Sequence, residues 1–317
     1  MNINTNIGAF SNINEIKEYS VIEKLCFKDW NLDVLPLNLG NFTNLKILSL
    51  WNNKLTKLPE EIIKLKNLEE LWCNNNEFTE IPEIVFELKK LKVLGFGGNK
   101  IKTIPVNISK LKNLEKLGLY RNKIDTIPKE IYELKNLKEL FLFINKISII
   151  PDGLDKLKKL EFLAIGDNNI SIIPNEIKNL INLRTLGIYN NKITELPDDF
   201  YKLVNLEELW IYNNLFLEYP PKIILDLPKL NKIKITPYSF ISKERLIIEV
   251  HKNKIRIQND KVSQDEELCC ICMENRKEAA IVPCGHLICW ENLCKNMLNG
   301  KCPICKNKID KIIKIYI

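Results

Sequence analysis

The sequence predicts an α/β solenoid of short stacked repeats, with one parallel sheet on its concave face, followed by a small metal-bound domain. Two observations predict this fold class. One pattern of apolar residues, asparagine and proline recurs every 23 residues through about two thirds of the 317-residue chain. Beyond it, eight of the ten cysteines and one of the two histidines lie between Cys269 and Cys305. A disordered chain, a collagen-like fibre and a single compact enzyme domain therefore all fit the sequence poorly.

The repeating unit reads LxxLxLxxNxLxxLP where it is first complete, over residues 45–59. The two leucines of its LxL strand are expected to face inward and their neighbours outward, because side chains alternate along a strand. The asparagine is expected to bond to backbone of the loop that leaves the strand, and the proline to begin the convex segment. A degenerate first unit carries Trp30 at the asparagine position. The asparagine recurs at Asn53, Asn76, Asn99, Asn122, Asn145, Asn168, Asn191 and Asn214.

These motifs resemble the intracellular class of leucine-rich repeats with 23 residues per unit, across residues 22–235. Each unit is too small to bury its apolar face alone, so about nine units are expected to share one continuous core. Residues 1–21 then form an N-terminal flank. After Pro220 the register slips by one residue, which indicates a C-terminal cap. Residues 236–267 are expected to extend this cap and to include a linker. Within them, residues 246–257 are expected to form either a pair of strands or a part of the cap.

The regular register also predicts which side chains lie on the concave face. Aromatic residues stand beside the inward leucines in most units, and an exposed stripe of this kind is typical of a protein-binding surface. Alternatively, the rings only pack across strands and stabilise the sheet. Asp167, Arg121 and the Gly97-Gly98 pair interrupt the stripe and are candidates for specificity. The predicted binding residues are Trp51, Trp72, Tyr120, Phe141, Phe143, Tyr189, Trp210 and Tyr212, and Phe162 lies in the same stripe.

The cysteine-rich segment has the spacing of a metal site rather than that of a redox pair. Without a basic-then-apolar signal peptide, the chain is expected in a reducing compartment, where clustered cysteines hold metal more often than they form disulfides. Two residues between paired cysteines let both thiolates reach one zinc ion. Cys270 lacks this spacing and is the surplus thiol, whereas Cys26 and Cys73 occupy strand positions and are expected to be buried. The eight predicted ligands are Cys269, Cys272, Cys284, His286, Cys289, Cys294, Cys302 and Cys305.

In this order, the motifs CxxC, PCGHxxC and CPIC resemble the RING finger, over residues 268–317. The resemblance implies two zinc ions held by interleaved ligand pairs, so that the first and third pairs share one ion and the second and fourth pairs the other. Four residues separate Cys289 from Cys294, where the family usually has two. The resemblance also implies that the domain has no catalytic nucleophile. It would bind a ubiquitin-conjugating enzyme and hold the thioester of ubiquitin in a reactive pose.

The RING resemblance further implies contacts with the conjugating enzyme and with ubiquitin. The apolar residues among these contacts could instead form the core of a small domain. The usual arginine after the last ligand is a lysine here, which keeps the charge but loses the planar fork of donors. The apolar tail resembles that of dimeric inhibitor-of-apoptosis RING fingers, where an aromatic residue touches ubiquitin across the dimer; alternatively, the tail only caps the domain. The predicted contacts are Ile271, Leu298, Pro303 with Ile304, Lys306 and Tyr316.

Together these features predict a RING-type ubiquitin ligase that captures a protein substrate on its repeats and positions a ubiquitin-charged conjugating enzyme. The alternative is a non-enzymatic scaffold whose zinc module mediates assembly. The expected partners are a conjugating enzyme, ubiquitin, a protein substrate and, through the RING, a second copy of the chain. We expect a cytoplasmic protein that binds neither nucleic acid nor membrane, because the net charge of +7 comes from scattered lysines and no apolar run of about 18 residues occurs.

Overall fold

The structure is a computed structural model of the chain. It describes residues 19–216 and 221–235 and, further along, the four strands at 256–259, 278–281, 287–289 and 313–316. Within these residues no helix is long and apolar enough to cross a membrane.

Ten strands stack side by side in parallel and form the concave sheet of a solenoid, as the repeat pattern predicted. Neighbouring strands pair residues that are 23 positions apart, such as Leu48 with Leu71. The last pairing joins Glu208 to Lys232 and therefore has an offset of 24, which is the predicted slip in register. The strands are β1 Lys24–Cys26, β2 Ile47–Ser49, β3 Glu70–Trp72, β4 Val93–Gly95, β5 Lys116–Gly118, β6 Glu139–Phe141, β7 Phe162–Ala164, β8 Thr185–Gly187, β9 Glu208–Trp210 and β10 Lys232–Ile235.

Burial alternates along each strand as the period of two requires. In β3, Leu71 is fully buried, Trp72 is half-buried, and Cys73, which follows the strand, is fully buried again. Burial raises the pKa of the Cys73 thiol well above its ordinary value, because the charged thiolate loses its hydration. The prediction that Cys26 is buried was wrong, since Cys26 is exposed. It lies between the inward-facing Leu25 and Phe27, so the same alternation turns its side chain to the concave face.

The recurring asparagine forms the predicted ladder of hydrogen bonds between units. In Asn76, Nδ2 donates to the carbonyl of Leu50 in the preceding unit at 2.8 Å and to that of Cys73 at 3.1 Å. Its Oδ1 accepts from the backbone N–H of Leu55 at 3.0 Å. Each ladder asparagine thus satisfies backbone groups of two neighbouring units, where the loops leave the sheet and offer them no partner. In the first unit, where Trp30 takes the place of asparagine, the ring instead packs edge-on against Phe27 at 5.1 Å.

The convex side consists of short 3-10 helices in the described units, which refines the α/β prediction. Most of them follow a proline whose fixed φ suits the turn out of the loop, as at Pro59 and Pro105. Each ends within five residues, and most end at a leucine that turns back into the core, as at Leu65 and Leu111. Segments of this length are too short for an α-helix to be favoured. These helices are Tyr19–Val21, Leu37–Asn41, Glu60–Lys64, Glu83–Glu87, Val106–Lys110, Lys129–Glu133, Leu154–Lys156, Asn175–Asn179, Phe200–Lys202 and Lys222–Asp226.

One edge of the sheet carries a row of alternating charges that we call the charge ladder. It consists of the residue directly before each strand from β1 to β9, and acidic and basic side chains alternate there without exception. Lys46 contacts Glu23 at 2.7 Å, and Lys92 contacts Glu69 at 2.8 Å. These contacts lower the pKa values of the carboxyl groups and raise those of the lysines, because each partner favours the charged form of the other. The members are Glu23, Lys46, Glu69, Lys92, Glu115, Lys138, Glu161, Arg184 and Glu207.

Four further strands follow the repeats. Strand β11, Arg256–Asn259, pairs in parallel with β10, and it begins inside the segment 246–257 for which a strand pair or more of the cap was predicted. Strands β12, Glu278–Ile281, and β13, Leu287–Cys289, form an antiparallel pair. Strand β14, Ile313–Tyr316, pairs antiparallel with β12 and in parallel with β11. The apolar tail therefore contains the predicted strand.

Candidate functional site

The concave face carries the predicted aromatic residues, and the structure brings their rings into contact across neighbouring strands. Every one of these rings is half-buried, so it is partly covered by protein and partly accessible. Tyr120 stacks on Phe143 with ring centroids 4.8 Å apart, and Tyr189 stacks on Tyr212 at 4.7 Å. The rings therefore pack across strands and stabilise the sheet, which was one of the two predicted roles. Their accessible parts leave an apolar surface, which the other predicted role, protein binding, requires.

The remaining rings form two further groups, one of which reaches the Tyr189–Tyr212 stack through the contact of Trp210 with Tyr189 at 6.0 Å. Phe162 contacts Phe141 at 4.9 Å and meets Trp210 edge-on at 5.9 Å, so it bridges the middle of the concave face. Trp51 and Trp72 form a separate stack at 6.3 Å near the N-terminal end. All nine aromatic residues predicted to face outward therefore lie on one surface.

Polar groups on the same face hold several rings in place. Trp72 donates its indole N–H to the Glu70 carboxylate at 3.0 Å, and Trp210 donates to Glu208 at 2.7 Å. In each case the acceptor lies two residues earlier on the same strand and therefore on the same face. Lys234 lies over the Trp210 ring, 4.5 Å from its centre, a distance at which a cation attracts an aromatic face. Both indoles are consequently fixed, and their polar groups are satisfied without a partner molecule.

Glycines on the concave face allow two tyrosine rings to lie flat on the sheet. A Cβ at Gly97 would lie 2.5 Å from Cζ of Tyr120, and one at Gly166 would collide with the Tyr189 ring in the same way. Gly118 differs, since its Cβ would meet the Tyr120 ring at an ordinary 3.7 Å. Gly97 therefore interrupts the aromatic stripe, as predicted, because a neighbouring ring covers it.

Gly97→Ala and Gly166→Ala are each expected to lower the free energy of unfolding by about 1–3 kcal/mol, because the added methyl must displace a packed ring. Gly118→Ala is the matched control and is expected to change the stability little. Urea denaturation followed by circular dichroism measures all three. Equal losses of unfolding free energy in the three variants would contradict the predicted displacement of the tyrosine rings, since such losses would reflect only the general cost of replacing glycine.

The other residues expected to give specificity lie where the chain leaves the strands. Arg121 has a φ of 52° and Asp167 a φ of 51°, and Gly98 takes the same left-handed conformation at 68°. Arg121 is exposed, whereas Asp167 accepts a hydrogen bond from Asn190 of the next unit. Burial raises the pKa of Tyr120, and the neighbouring Arg121 charge opposes this rise. Arg121 is thus an accessible charge beside the stack of Tyr120 on Phe143.

The residues predicted to bind zinc fall in the C-terminal segment. Cys289 is the last residue of β13, and Cys284 and His286 belong to the connection 282–286 between β12 and β13. The other five predicted ligands and the contact positions Ile271, Leu298, Pro303, Ile304 and Lys306 also lie outside the described residues, so their roles stay predictions. Seven cysteines and one histidine nevertheless fit zinc chemically, because thiolate and imidazole are its preferred ligands. Within the described part of the chain, no group of histidine, cysteine or acidic residues could hold a metal ion.

The repeats show the family of the chain. A family model described as a leucine-rich repeat region matches residues 4–148 and 88–167, and a model for two copies of the repeat matches residues 181–232. Because the first model covers more than half of the sequence, the chain belongs to the leucine-rich repeat family. Residues 265–312 match a zinc finger of the C3HC4 type, the RING finger. It is thus a leucine-rich repeat protein with a C-terminal RING finger, as its motifs predicted.

Curated relatives match the RING region. The E3 ubiquitin-protein ligase SPL2 of Arabidopsis thaliana is 38% identical over 55 residues, which are 16% of this chain and 14% of the relative. The mitochondrial E3 ubiquitin protein ligase 1 of Drosophila melanogaster is 36% identical over 67 residues, with shares of 21% and 19%. Apoptosis inhibitor 1 of the Orgyia pseudotsugata multicapsid polyhedrosis virus is 36% identical over 50 residues, with shares of 16% and 18%. The chain therefore spans less than a fifth of the length of each.

Solved structures match the solenoid. The leucine-rich repeat protein LIC12759 of Leptospira interrogans is 31% identical with a TM-score of 0.59, and the match covers 74% of this chain and 64% of that one. Internalin C2 of Listeria monocytogenes is 27% identical with a TM-score of 0.55, and the match covers 61% of this chain and 82% of the other. Both support the leucine-rich repeat fold.

Two features of the concave surface were missed in the sequence. Ile144 is the only isoleucine among the described residues with a left-handed backbone, at a φ of 57°, and its side chain is exposed. The signal was present, because neighbouring units have Arg121 and Asp167 at this position and most others have asparagine or glycine. The charge ladder was also missed, because its alternation is visible only when the charged residues are aligned in the repeat register.

Proposed function

We propose that the chain is a RING-type E3 ubiquitin ligase that binds a protein substrate through its leucine-rich repeats. The observation that carries the proposal is the RING finger at residues 265–312, whose curated relatives include E3 ubiquitin ligases. The aromatic concave face supports the second part, because accessible aromatic side chains are enriched where proteins bind one another. The solenoid would hold the substrate while the RING finger brings the ubiquitin donor to it.

In this proposal the RING finger acts by positioning and forms no covalent bond with ubiquitin. Two zinc ions, held by the eight predicted ligands, would supply the rigidity that so small a domain cannot obtain from its core. Ile271, Leu298 and Pro303 would form a shallow apolar groove for the conjugating enzyme. Lys306 and Tyr316 would contact ubiquitin, so that its thioester lies ready for attack by a substrate lysine. Tyr316 ends β14, whose pairing with β12 also agrees with a tail that caps the domain.

The proposal is tested with the full chain, activating enzyme, ATP, ubiquitin and a panel of conjugating enzymes. We expect ubiquitin chains with at least one conjugating enzyme, and no chains with Ile271→Ala, because this change removes the centre of the docking groove. Ile309→Ala serves as the matched control, since it lies beyond the last predicted ligand and should keep the activity. Gel electrophoresis with detection of ubiquitin measures the products. Absence of chains with every conjugating enzyme would contradict the ligase proposal.

Lys306 allows a finer test in the same assay. Lys306→Arg is expected to increase chain formation, because guanidinium can bridge two acceptors where ammonium offers a point charge. Lys306→Ala is expected to decrease it. An unchanged rate in both variants would show that this position does not contact the reacting pair.

The second candidate function is a non-enzymatic scaffold whose zinc finger mediates assembly. The pairing of β14 with β12 favours the scaffold function, because a tail that is paired within the domain can stabilise its fold without contacting ubiquitin. A scaffold would keep its oligomeric state and yield no ubiquitin chains in the assay above. For either function we propose a cytoplasmic protein, because seven clustered cysteines predicted as ligands need a reducing compartment to stay available for metal.

A further inference from the structure

The concave face repeats itself every three units. At the last position of the strands β3 to β9, one strand carries an aromatic residue, the next two strands carry small residues, and the aromatic residue then returns. Strand pairing places these residues side by side in one straight row across the sheet. The row reads Trp72, Gly95, Gly118, Phe141, Ala164, Gly187 and Trp210. The surface therefore presents two successive copies of one arrangement.

The tyrosine stacks follow the same three-unit period. Tyr120 on Phe143 and Tyr189 on Tyr212 are 69 positions apart in sequence and have nearly the same centroid distance, 4.8 and 4.7 Å. Three strand spacings of about 4.8 Å separate the stacks by about 14 Å. We call these two stacks the aromatic platforms. A partner that uses both would carry two apolar side chains about 14 Å apart.

The two sides of the platforms differ in charge. On the side where the strands begin, the charge ladder neutralises itself through contacts such as Lys138 with Glu115. On the side where the strands end, four basic side chains between residues 121 and 192 are exposed and have no ion pair within the part of the chain that the structure describes. We call this side the basic rim. It consists of Arg121, Lys123, Lys146 and Lys192.

Acidic groups near the basic rim do not neutralise it. Asp167 is engaged with the Asn190 amide, and Asp125 accepts a hydrogen bond from Thr126. Neither forms an ion pair with a basic-rim side chain among the described residues. The rim therefore retains an excess of positive charge beside the platforms, and an acidic partner would complement it.

Ile144 lies on this rim directly after Phe143 of the first platform. Its φ of 57° is strained for a β-branched residue, and its exposed side chain gains little from burial. Asparagine occupies this position in four other units at Asn52, Asn75, Asn190 and Asn213 without such strain. The loop geometry imposes this backbone on every unit but does not require isoleucine there, and a residue held in a strained conformation is often one that serves binding. Ile144 would extend the apolar surface of the first platform to the rim.

We propose that the two platforms and the basic rim bind an extended acidic segment of the substrate, with two large apolar side chains separated by three residues. An extended chain advances about 3.3 Å per residue, so side chains four positions apart span about 13 Å and point the same way. These side chains lie on the two platforms, and the acidic residues face the rim. The proposal rests on the proposed function only in calling the bound protein a substrate.

A library of random twelve-residue peptides displayed on phage, selected on the immobilised full chain, tests the proposal. The expected result is enrichment of peptides rich in Asp and Glu with two large apolar residues four positions apart. Enriched peptides without acidic residues, or with a helical spacing of eight or nine positions, would overturn it, as would no enrichment at all. Each outcome leaves ubiquitin-chain formation without substrate unaffected, so failure here differs from failure of the ligase proposal.

Affinities of one selected synthetic peptide for variants of the full chain then locate its site. Phe143→Ala and Tyr212→Ala are each expected to weaken binding by about tenfold, as truncation of a binding hot spot does. Lys123→Glu combined with Lys146→Glu is expected to do the same, and the effect should shrink at high salt. The controls are Val106→Ala and Lys129→Glu on the convex side, which should leave the affinity unchanged. Equal weakening by the control variants would overturn the assigned site.

Ile144→Asn separates a binding role from a structural one. The change is expected to raise the thermal midpoint of unfolding, because asparagine accepts the left-handed backbone, and to weaken peptide binding severalfold. A variant that is more stable and binds equally well would remove Ile144 from the proposed site. A variant that is less stable would show that the side chain serves the fold.

Discussion

Asn168→Ala is expected to lower the free energy of unfolding of the repeat region by about 3 kcal/mol, the largest effect we predict for a single side chain in the solenoid. The Asn168 amide reaches the carbonyls of Leu142, Ile165 and Gly166 at 2.9–3.0 Å, and its Oδ1 accepts from the N–H of Ile147 at 2.9 Å. Alanine would remove the Asn168 partner of the Leu142 and Ile165 carbonyls and of the Ile147 N–H, whereas the Gly166 carbonyl still accepts from the N–H of Ile144. Each buried backbone group left unpaired costs about 1–3 kcal/mol.

The adjacent Asn169→Ala is the matched control, because Asn169 is exposed and only its backbone joins the ladder, through a bond to the Ile147 carbonyl. Urea denaturation followed by circular dichroism measures both variants. Since repeat proteins can unfold in parts, the transition should be compared at several wavelengths before a free energy is assigned. Equal stability of the two variants would mean that water replaces the amide and that the ladder contributes little.

Removal of zinc is expected to abolish ubiquitin-chain formation while the repeat region stays folded. Structural zinc contributes about 10 kcal/mol or more to the folding of small domains, so a RING finger without its ions should not persist. The repeat region has its own continuous core of buried leucine and isoleucine, from Ile22 to Ile233, and contains no metal-binding group among its described residues. Treatment of the full chain with a zinc chelator should therefore eliminate activity and leave the main thermal transition unchanged.

The metal content of two cysteine variants sharpens this test. The wild-type chain is expected to hold two zinc ions by mass spectrometry of the native protein. Cys294→Ala should hold fewer ions and lose activity, whereas Cys270→Ala, which removes the surplus thiol, should keep both. The reverse result would show that Cys294 is not a ligand despite its distance to Cys302. Loss of the thermal transition of the repeats after chelation would show that the two parts of the chain do not fold independently.

The strand register could be predicted from the sequence because side chains alternate between the two faces of a strand. Once the inward leucines of a unit are known, the direction of every other side chain in that strand is fixed. The inward leucines, the ladder asparagines and the outward aromatic residues all followed from it. The same rule, applied to Cys26, would have placed this residue on the concave face, since it lies between Leu25 and Phe27. Cys26 is exposed because its position in the strand, and not its apolar character, determines which way its side chain points.

Other features depend on contacts between units and could not be read from one unit alone. The position of the Tyr120 ring over Gly97 follows only when both residues are placed in adjacent units. The identity of the convex segments as 3-10 helices depends on how early the next leucine returns to the core. The left-handed backbone at Ile144 is set by the loop geometry of every unit, against the preference of the residue itself.

The charge ladder constrains how many units the chain can gain or lose. Its signs alternate, so removal of one unit, such as residues 92–114, would bring Glu69 beside Glu115 and create repulsion. Removal of two units would restore the alternation but disrupt the three-unit order of the concave face. A deletion or duplication preserves both patterns only in blocks of six units. The length of this solenoid is therefore coupled to its surface, and a designed change of length should respect both periods.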